Sequence, residues 1–217
     1  MAATPFFVTG DRAADEFLRT DPLALLIGML LDQQIPMESA FAAPRRLADR
    51  LAEVGVPWRA DRIAGTDPDD FLALFARKPA LHRFPRAMAG RTRELCAVVA
   101  RDHGGDAAAL WRSAPDGATL VATLVALPGF GDEKARILVA LLAKRFGVRP
   151  PGWAEACAPF GDDVPRTVAD IDGPETLAAV RAWKKGQRAA GRSKADPTAP
   201  LRTAGPASGS TRGRANP

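Results

Sequence analysis

The sequence contains no tyrosine, and it has only ten phenylalanines and four tryptophans among its 217 residues. Alanine, in contrast, accounts for 43 residues. Because alanine is the best helix former, while aromatic and β-branched residues favour strands, this composition predicts an all-α protein. No segment alternates apolar and polar residues with the period of two that is typical of a half-buried strand, which supports the same prediction.

Cysteine and histidine are also scarce. Cys96 and Cys157 are the only cysteines, and two cysteines can form neither a four-cysteine iron–sulfur site nor a disulfide framework. His82 and His103 lie far apart in the sequence and have no partnered ligands, so a zinc site has little support. We therefore expect a protein that holds no metal ion and no other cofactor.

The sequence also lacks a long apolar run. The longest, residues 23–31, has nine residues, whereas a bilayer-spanning helix needs roughly 20. The first residues show no basic segment followed by an apolar one, as a secretory signal would. From these absences we expect a cytoplasmic protein without a membrane partner.

The positive charge is concentrated at the end of the chain. The formal net charge is +5, and residues 186–217 alone carry six basic residues and one acidic residue. The remaining 185 residues are therefore neutral overall. Residues 186–217 are rich in glycine, proline, serine and threonine, with one leucine and no aromatic residue, so they cannot bury enough apolar surface to offset the entropy of ordering. The sequence predicts a folded domain over residues 1–185 and a disordered basic tail over residues 186–217.

Helix signals are frequent within the predicted domain. Asp21 and Pro22 provide an N-cap and a first-turn proline for a buried helix that ends near Leu31. Pro36 can start the next helix. Further helices are predicted over residues 68–76, 85–101, 115–126, 132–145, 151–160 and 174–185. The last of them ends in the basic residues Arg181, Lys184, Lys185 and Arg188, which can meet phosphates or complement the helix dipole.

The sharpest local pattern is the segment LPGFGDEKA, residues 127–135, between two apolar helices. Its glycines, Gly129 and Gly131, permit positive φ values and allow a ligand to approach the main chain closely. The backbone N–H groups at the start of the following helix provide a site for an anion, so such a hairpin can hold DNA phosphates without reading bases. An ordinary helical hairpin with a glycine turn fits the same spacing.

This segment closely resembles the helix–hairpin–helix of the endonuclease III and 3-methyladenine glycosylase superfamily of DNA repair proteins, also called HhH-GPD. Upstream, LLDQQI, residues 30–35, resembles the apolar helix and Gln-Gln turn of that superfamily. Residues 88–100 resemble the helix that precedes the hairpin. The order and spacing of the three segments agree over about residues 20–147. The sequence therefore resembles a divergent member of this superfamily.

The resemblance implies a two-lobed helical protein that binds double-stranded DNA as a monomer and is associated with the nucleoid. Such proteins turn a nucleotide out of the duplex, which costs a few kcal/mol of stacking and pairing. Gln33 and Gln34 would fill the gap, since a glutamine amide offers both a donor and an acceptor to the orphaned base. Capping of the preceding helix is the alternative role for these two residues. The DNA-binding residues implied in the hairpin are Leu127, Pro128, Gly129, Phe130, Gly131 and Lys134.

The catalytic residues of the superfamily are missing. Where some members carry a lysine nucleophile, this sequence has Glu133, and the adjacent Lys134 faces about 100° away on a helix. No acid lies between Pro150 and Ala154, where the resemblance places the usual aspartate. The candidate replacements are Glu155 and, one helix further on, Asp162. Glu155 is equally explained as a solvated acid near a helix N-terminus.

These observations leave three functions open. The first is a monofunctional DNA N-glycosylase of base-excision repair, without strand-cleaving activity because the lysine is absent. The second is a protein on the same fold that binds damaged or distorted DNA without cutting the glycosidic bond. The third is a helical protein–protein adaptor in which the glycine hairpin is only a turn.

Overall fold

A computed structural model describes residues 6–192 and residue 195. Over these residues the chain forms eleven α-helices and one 3₁₀ helix, and it contains no strand, which confirms the predicted all-α class. The α-helices are α1 (Arg12–Thr20), α2 (Pro22–Leu31), α3 (Met37–Glu53), α4 (Ala60–Gly65), α5 (Pro68–Ala76), α6 (Pro85–Asp102), α7 (Ala109–Arg112), α8 (Gly117–Val125), α9 (Asp132–Arg145), α10 (Trp153–Ala156) and α11 (Pro174–Ala189). The 3₁₀ helix is Val168–Asp170.

Side-chain caps set the start of several helices. Asp21 accepts a 2.8 Å hydrogen bond from the backbone N–H of Ala24, and Pro22 occupies the first turn of α2, as the sequence predicts. Asp67 and Pro68 start α5 in the same way. Asp116 accepts a 2.7 Å hydrogen bond from Thr119 N at the start of α8. These caps satisfy backbone donors that a helix leaves without an internal partner.

The helices form two groups around one continuous apolar core. Helix α2 is buried along residues 23–31 and packs against α1, α3 and α6, while α4 and α5 pack on α6. In the second group α8, α10 and the 3₁₀ helix pack around α9. The rings of Phe6 and Phe146 meet at 5.5 Å between the two groups. This arrangement agrees with the expected two-lobed helical fold. Within the described residues, no helix has the length and apolar character to cross a bilayer.

The last helix is longer than predicted. Helix α11 continues to Ala189 instead of ending at residue 185, so the start of the predicted tail is helical. The reason is a buried stripe at helical spacing, formed by Leu177, Val180, Trp183 and Gln187, which continues past Gly186. Gln187 is only 4% exposed. Apart from Ala195, the tail beyond residue 192 lies outside the described residues, and its disorder stays a prediction.

The helix predicted over residues 151–160 is mostly absent. Only Trp153–Ala156 is α-helical, and Gly152 in front of it has a left-handed φ of 68°. Pro159 has no N–H to donate, so the turn cannot extend into a longer helix. The segment instead packs against α8, where the N–H of Gly117 donates to Pro151 O at 2.8 Å.

Candidate nucleic-acid interface

The turn between α8 and α9 exposes its backbone and buries its larger side chains. Leu127 is 4% exposed and Phe130 is 8% exposed, so both belong to the core. Pro128 is half-buried, whereas Gly129 and Gly131 are exposed. Leu127 and Phe130 therefore position the turn from within. A ligand would meet Pro128 and the two glycines.

The two glycines have different conformations. Gly129 has a φ of +77°, and a Cβ placed there would lie 2.5 Å from Cδ1 of Leu30. Gly131, with a φ of −116°, adopts an extended conformation open to any residue, and a Cβ there would meet nothing within 4 Å. The sequence allowed positive φ at both glycines, but the structure has it at Gly129 alone. Gly131 is the N-cap of α9 and supplies no side-chain cap, and the first turn of α9 carries two acids, Asp132, which pairs with Arg136, and Glu133.

Lys134 contacts the protein rather than extending away from it. Its Nζ donates a 2.7 Å hydrogen bond to the backbone carbonyl of Leu30, at the end of α2. The same ammonium lies 5.7 Å from the centroid of the Phe130 ring. A cation at the C-terminus of a helix complements its dipole. Lys134, predicted to bind DNA, thus joins the hairpin to the turn that follows α2.

That turn, residues 32–36, contains the two glutamines, whose side chains have different environments. Gln33 donates from Nε2 to Leu30 O at 2.8 Å and accepts from Arg91 at 3.1 Å. This is the capping role that the sequence left open. Gln34 is exposed, makes no side-chain hydrogen bond within the described part of the chain, and has a φ of 56°, the one positive φ outside glycine among the described residues. Such a backbone outlier costs on the order of 1–3 kcal/mol and often marks a functional position.

His82 fixes the back of the glutamine turn, a role that no sequence signal indicated. It is 2% exposed, its Nδ1 accepts from Phe84 N at 3.1 Å, and its Nε2 lies 2.9 Å from Gln33 O. Because Nδ1 is an acceptor, the proton resides on Nε2, which donates to Gln33 O. Burial lowers the pKa of His82 below its ordinary value, which favours this neutral form.

A groove of about 720 Å³ lies between the glutamine turn and α11. Its basic residues are Arg83, Arg181, Lys184, Lys185, Arg188 and Arg192, and its acidic residues are Asp32 and Glu38. Glu38 accepts a 2.8 Å hydrogen bond from Arg181. Asp32 is half-buried, and its carboxylate has no hydrogen bond or ion pair in the described ranges. The groove is therefore strongly positive, with one uncompensated carboxylate at its edge.

The acids proposed from the sequence lie outside this groove. Glu155 is exposed on the short helix α10 and does not line the groove. Asp162 forms an ion pair with Arg166, whose side chain is 1% exposed. Next to this pair, Lys144 contacts Asp170 at 2.6 Å. Asp162 thus lies at the exposed end of an ion network whose other members, Arg166, Lys144 and Asp170, are largely buried. A catalytic role for Glu155 or Asp162 stays a prediction.

The described part of the chain contains no cluster of three or more histidine, cysteine, aspartate or glutamate side chains with the geometry to hold a metal ion. Both cysteines are buried, and burial raises the pKa of Cys96 to about 12 and that of Cys157 to about 11. Neither thiol is therefore available as a nucleophile at neutral pH.

Among solved structures, the chain is similar to two complexes of endonuclease III with DNA. One is a trapped covalent intermediate described as an estranged-adenine complex, with 15% identity, 77% of this chain and 74% of that chain covered, and a TM-score of 0.43. The other is a non-covalent complex, with 16% identity, the same coverage of both chains, and a TM-score of 0.42. No protein-family model matches the sequence, and no curated protein is significantly similar to it.

Proposed function

We propose that the protein binds duplex DNA at a damaged or distorted position, with the glycine hairpin on the phosphates and the glutamine turn at the extruded nucleotide. The observation that supports this function is the junction at Leu30. Its carbonyl accepts hydrogen bonds from both Gln33 and Lys134, and its side chain lies against Gly129. The two segments that resemble DNA-repair motifs therefore form one surface, although about 90 residues separate them in the sequence.

The two glutamines have separate roles in this proposal. Gln33 is held at both ends of its amide and supports the turn. Gln34 is exposed, and its amide is available as a donor and an acceptor for an orphaned base. The turn thus presents one wedge residue on a rigid base, which suits insertion into a duplex whose stacking has been interrupted.

The hairpin contact is tested by substituting Gly131. Gly131→Ala adds a methyl group at an exposed position with an extended backbone, so we expect the fold to stay intact. The methyl group obstructs close approach of a phosphate to the start of α9, so affinity for duplex DNA with an abasic-site analogue should fall. The matched control is Gly65→Ala, because a Cβ at Gly65 also meets nothing within 4 Å and the residue lies on α4. Unchanged affinity in Gly131→Ala would instead support the adaptor function.

Asp32 favours a second candidate function, hydrolysis of an N-glycosidic bond. Its carboxylate is half-buried at the C-terminal end of α2, where the helix dipole disfavours an anion, and it lines the groove beside Gln34. A carboxylate held at such a position is suited to stabilising the cationic sugar that forms as a base departs. Glu133 in place of the lysine nucleophile supports a monofunctional reaction without strand cleavage.

The assay for this activity uses duplexes that contain uracil, 3-methyladenine, hypoxanthine, 8-oxoguanine or an adenine mismatch. Heat or alkali after incubation converts an abasic site into a strand break. We expect breaks only after that treatment and no covalent adduct upon borohydride reduction. An adduct would overturn the monofunctional assignment, and a complete absence of product would leave DNA binding as the function.

A further inference from the structure

Phe84 is unusual because it is the one phenylalanine or tryptophan of the described chain that is exposed, with 41% of its surface accessible. The guanidinium group of Arg83 lies 4.7 Å from the centroid of its ring. His82, which accepts from Phe84 N and donates to Gln33 O, ties this pair to the back of the glutamine turn. The guanidinium group of Arg83 therefore lines the groove, and the ring of Phe84 lies beside the groove, against Arg83.

The opposite wall of the groove carries a stripe of cations on one face of α11. Arg181, Lys184, Lys185 and Arg188 follow the spacing i, i+3, i+4 and i+7 on α11, and Arg192 follows just beyond the end of the helix. Within the described residues, Lys185 and Arg188 are exposed and have no acidic partner. Like charges at this spacing repel one another and destabilise the helix, so the stripe favours occupation of the groove by an anion.

The groove has the size of a site for a small ligand. A volume of about 720 Å³ lies within the range of about 300–1,000 Å³ that is typical of pockets for one small molecule. One or two nucleotides fit such a space. Proteins that bind single-stranded DNA combine a positively charged groove along the backbone with aromatic side chains on which the bases stack. The groove and Phe84 together have these two components.

We propose that the groove between the glutamine turn and α11 binds unpaired DNA, with phosphates on Lys185 and Arg188 and a base stacked on Phe84 and Arg83. This inference rests on the proposed function, since the hairpin is what brings DNA to the glutamine turn. It adds a strand-binding site to that function. The DNA that the protein should prefer is then a duplex with an opened or single-stranded segment next to the distortion.

The test measures fluorescence anisotropy with three DNAs of one sequence: an intact duplex, a duplex with a four-nucleotide bubble, and the single strand. The charge variant is Lys185→Glu with Arg188→Glu. Its matched control is Arg12→Glu with Arg46→Glu, which changes the net charge equally at exposed positions that do not line the groove. Phe84→Leu removes the ring but keeps an apolar side chain, and Phe84→Ala removes both. Circular dichroism and thermal unfolding verify that each variant is folded.

We expect Phe84→Ala to weaken binding of the single strand and the bubble by about 5- to 150-fold, as is typical for loss of a stacking aromatic residue. Phe84→Leu should recover little of this loss. The groove charge variant should lower the slope of log affinity against log salt by about 1.4, for two lost phosphate contacts on single-stranded DNA. Both effects should be smaller on the intact duplex, and the control charge variant should show neither.

Wild-type affinity of the folded Phe84 and groove variants for single-stranded DNA would overturn the inference. Equal losses in the groove and control charge variants would overturn it as well, because they would reflect overall charge alone. If poly-glutamate displaced the bound DNA at a concentration similar to that of unlabelled single-stranded DNA, the groove would be assigned to an acidic polypeptide instead. Gly131→Ala separates this site from the proposed function, since that variant should weaken binding of the intact duplex and leave the single strand unaffected.

Discussion

The ammonium group of Lys134 lies 2.7 Å from the backbone carbonyl of Leu30, 104 residues earlier in the chain. This contact places a cation from the first turn of α9 at the C-terminal end of α2, whose carbonyls carry the negative end of the helix dipole. The same carbonyl accepts a hydrogen bond from Gln33. One carbonyl oxygen thus joins the hairpin to the glutamine turn.

Replacing Lys134 should therefore affect stability before it affects DNA binding. We expect Lys134→Met to lower the free energy of unfolding by about 1.5–3 kcal/mol, the range for hydrogen bonds to charged groups. Urea denaturation measures this change, and Lys78→Met, at an exposed lysine, is the matched control. A Lys134→Met variant with wild-type stability but weaker DNA binding would show that Lys134 contacts DNA directly.

The two hairpin glycines should respond differently to alanine. Gly129→Ala should destabilise the fold by more than about 1 kcal/mol, because its φ is +77° and the new Cβ would lie 2.5 Å from Leu30. Gly131→Ala should change stability little, since its φ is −116° and the space around it is open. Thermal unfolding of both variants measures this difference, and equal effects on stability would contradict the described turn.

Gln34 provides a test that separates strain from function. Gln34→Gly should stabilise the protein by about 1 kcal/mol, because glycine adopts the φ of 56° without steric cost. The same variant should lose affinity for DNA with an abasic-site analogue, since the wedge side chain is gone. Gln34→Asn, which tolerates this conformation and keeps an amide, should retain part of the affinity. A Gln34→Gly variant that binds such DNA normally would refute the wedge role.

Stability should depend on pH through His82. Because burial lowers the pKa of His82 in the folded state, the unfolded chain binds a proton first as the pH falls below about 6.5. The contribution of the neutral ring is therefore fully present above that pH and decreases as the pH falls toward the folded-state pKa. Urea denaturation between pH 5 and 8 measures how the free energy of unfolding changes with pH. This dependence on pH should be weaker in His82→Gln than in the wild type, and an equal dependence would contradict the assignment.

If the protein cleaves a glycosidic bond, the candidate acids predict different outcomes. Asp32→Asn should lower turnover by about 10² or more, as for loss of an electrostatic stabiliser, and should not reduce stability, because it removes an anion from a helix C-terminus. Glu155→Gln should have a smaller effect, since Glu155 does not line the groove. Asp162→Asn should lower stability through the loss of its ion pair with Arg166. Single-turnover assays with thermal unfolding separate these effects, and full activity in Asp32→Asn would exclude Asp32.

Much of the fold follows from local features of the sequence. Helix signals act over a few residues, so composition and pattern alone predicted several helices. Examples are the caps at Asp21 and Asp67, each followed by a proline, and the apolar spacing of α2 and α9. The glycine turn and the glutamine turn were recognisable for the same reason, because each motif is contiguous. Local reasoning was wrong where a distant contact decides, as at residue 185, where the buried Trp183 and Gln187 extend α11.

Tertiary structure alone decided how the candidate site is assembled. No local rule indicates that Lys134 contacts Leu30, that His82 supports Gln33, or that α11 faces the glutamine turn. Each of these contacts joins residues about 50 to 150 positions apart in the sequence. Their energy comes from burial and from hydrogen bonds that exist only when the core has formed. The sequence determined which segments form helices and turns, and packing around α2 determined which side chains remain free to meet a ligand.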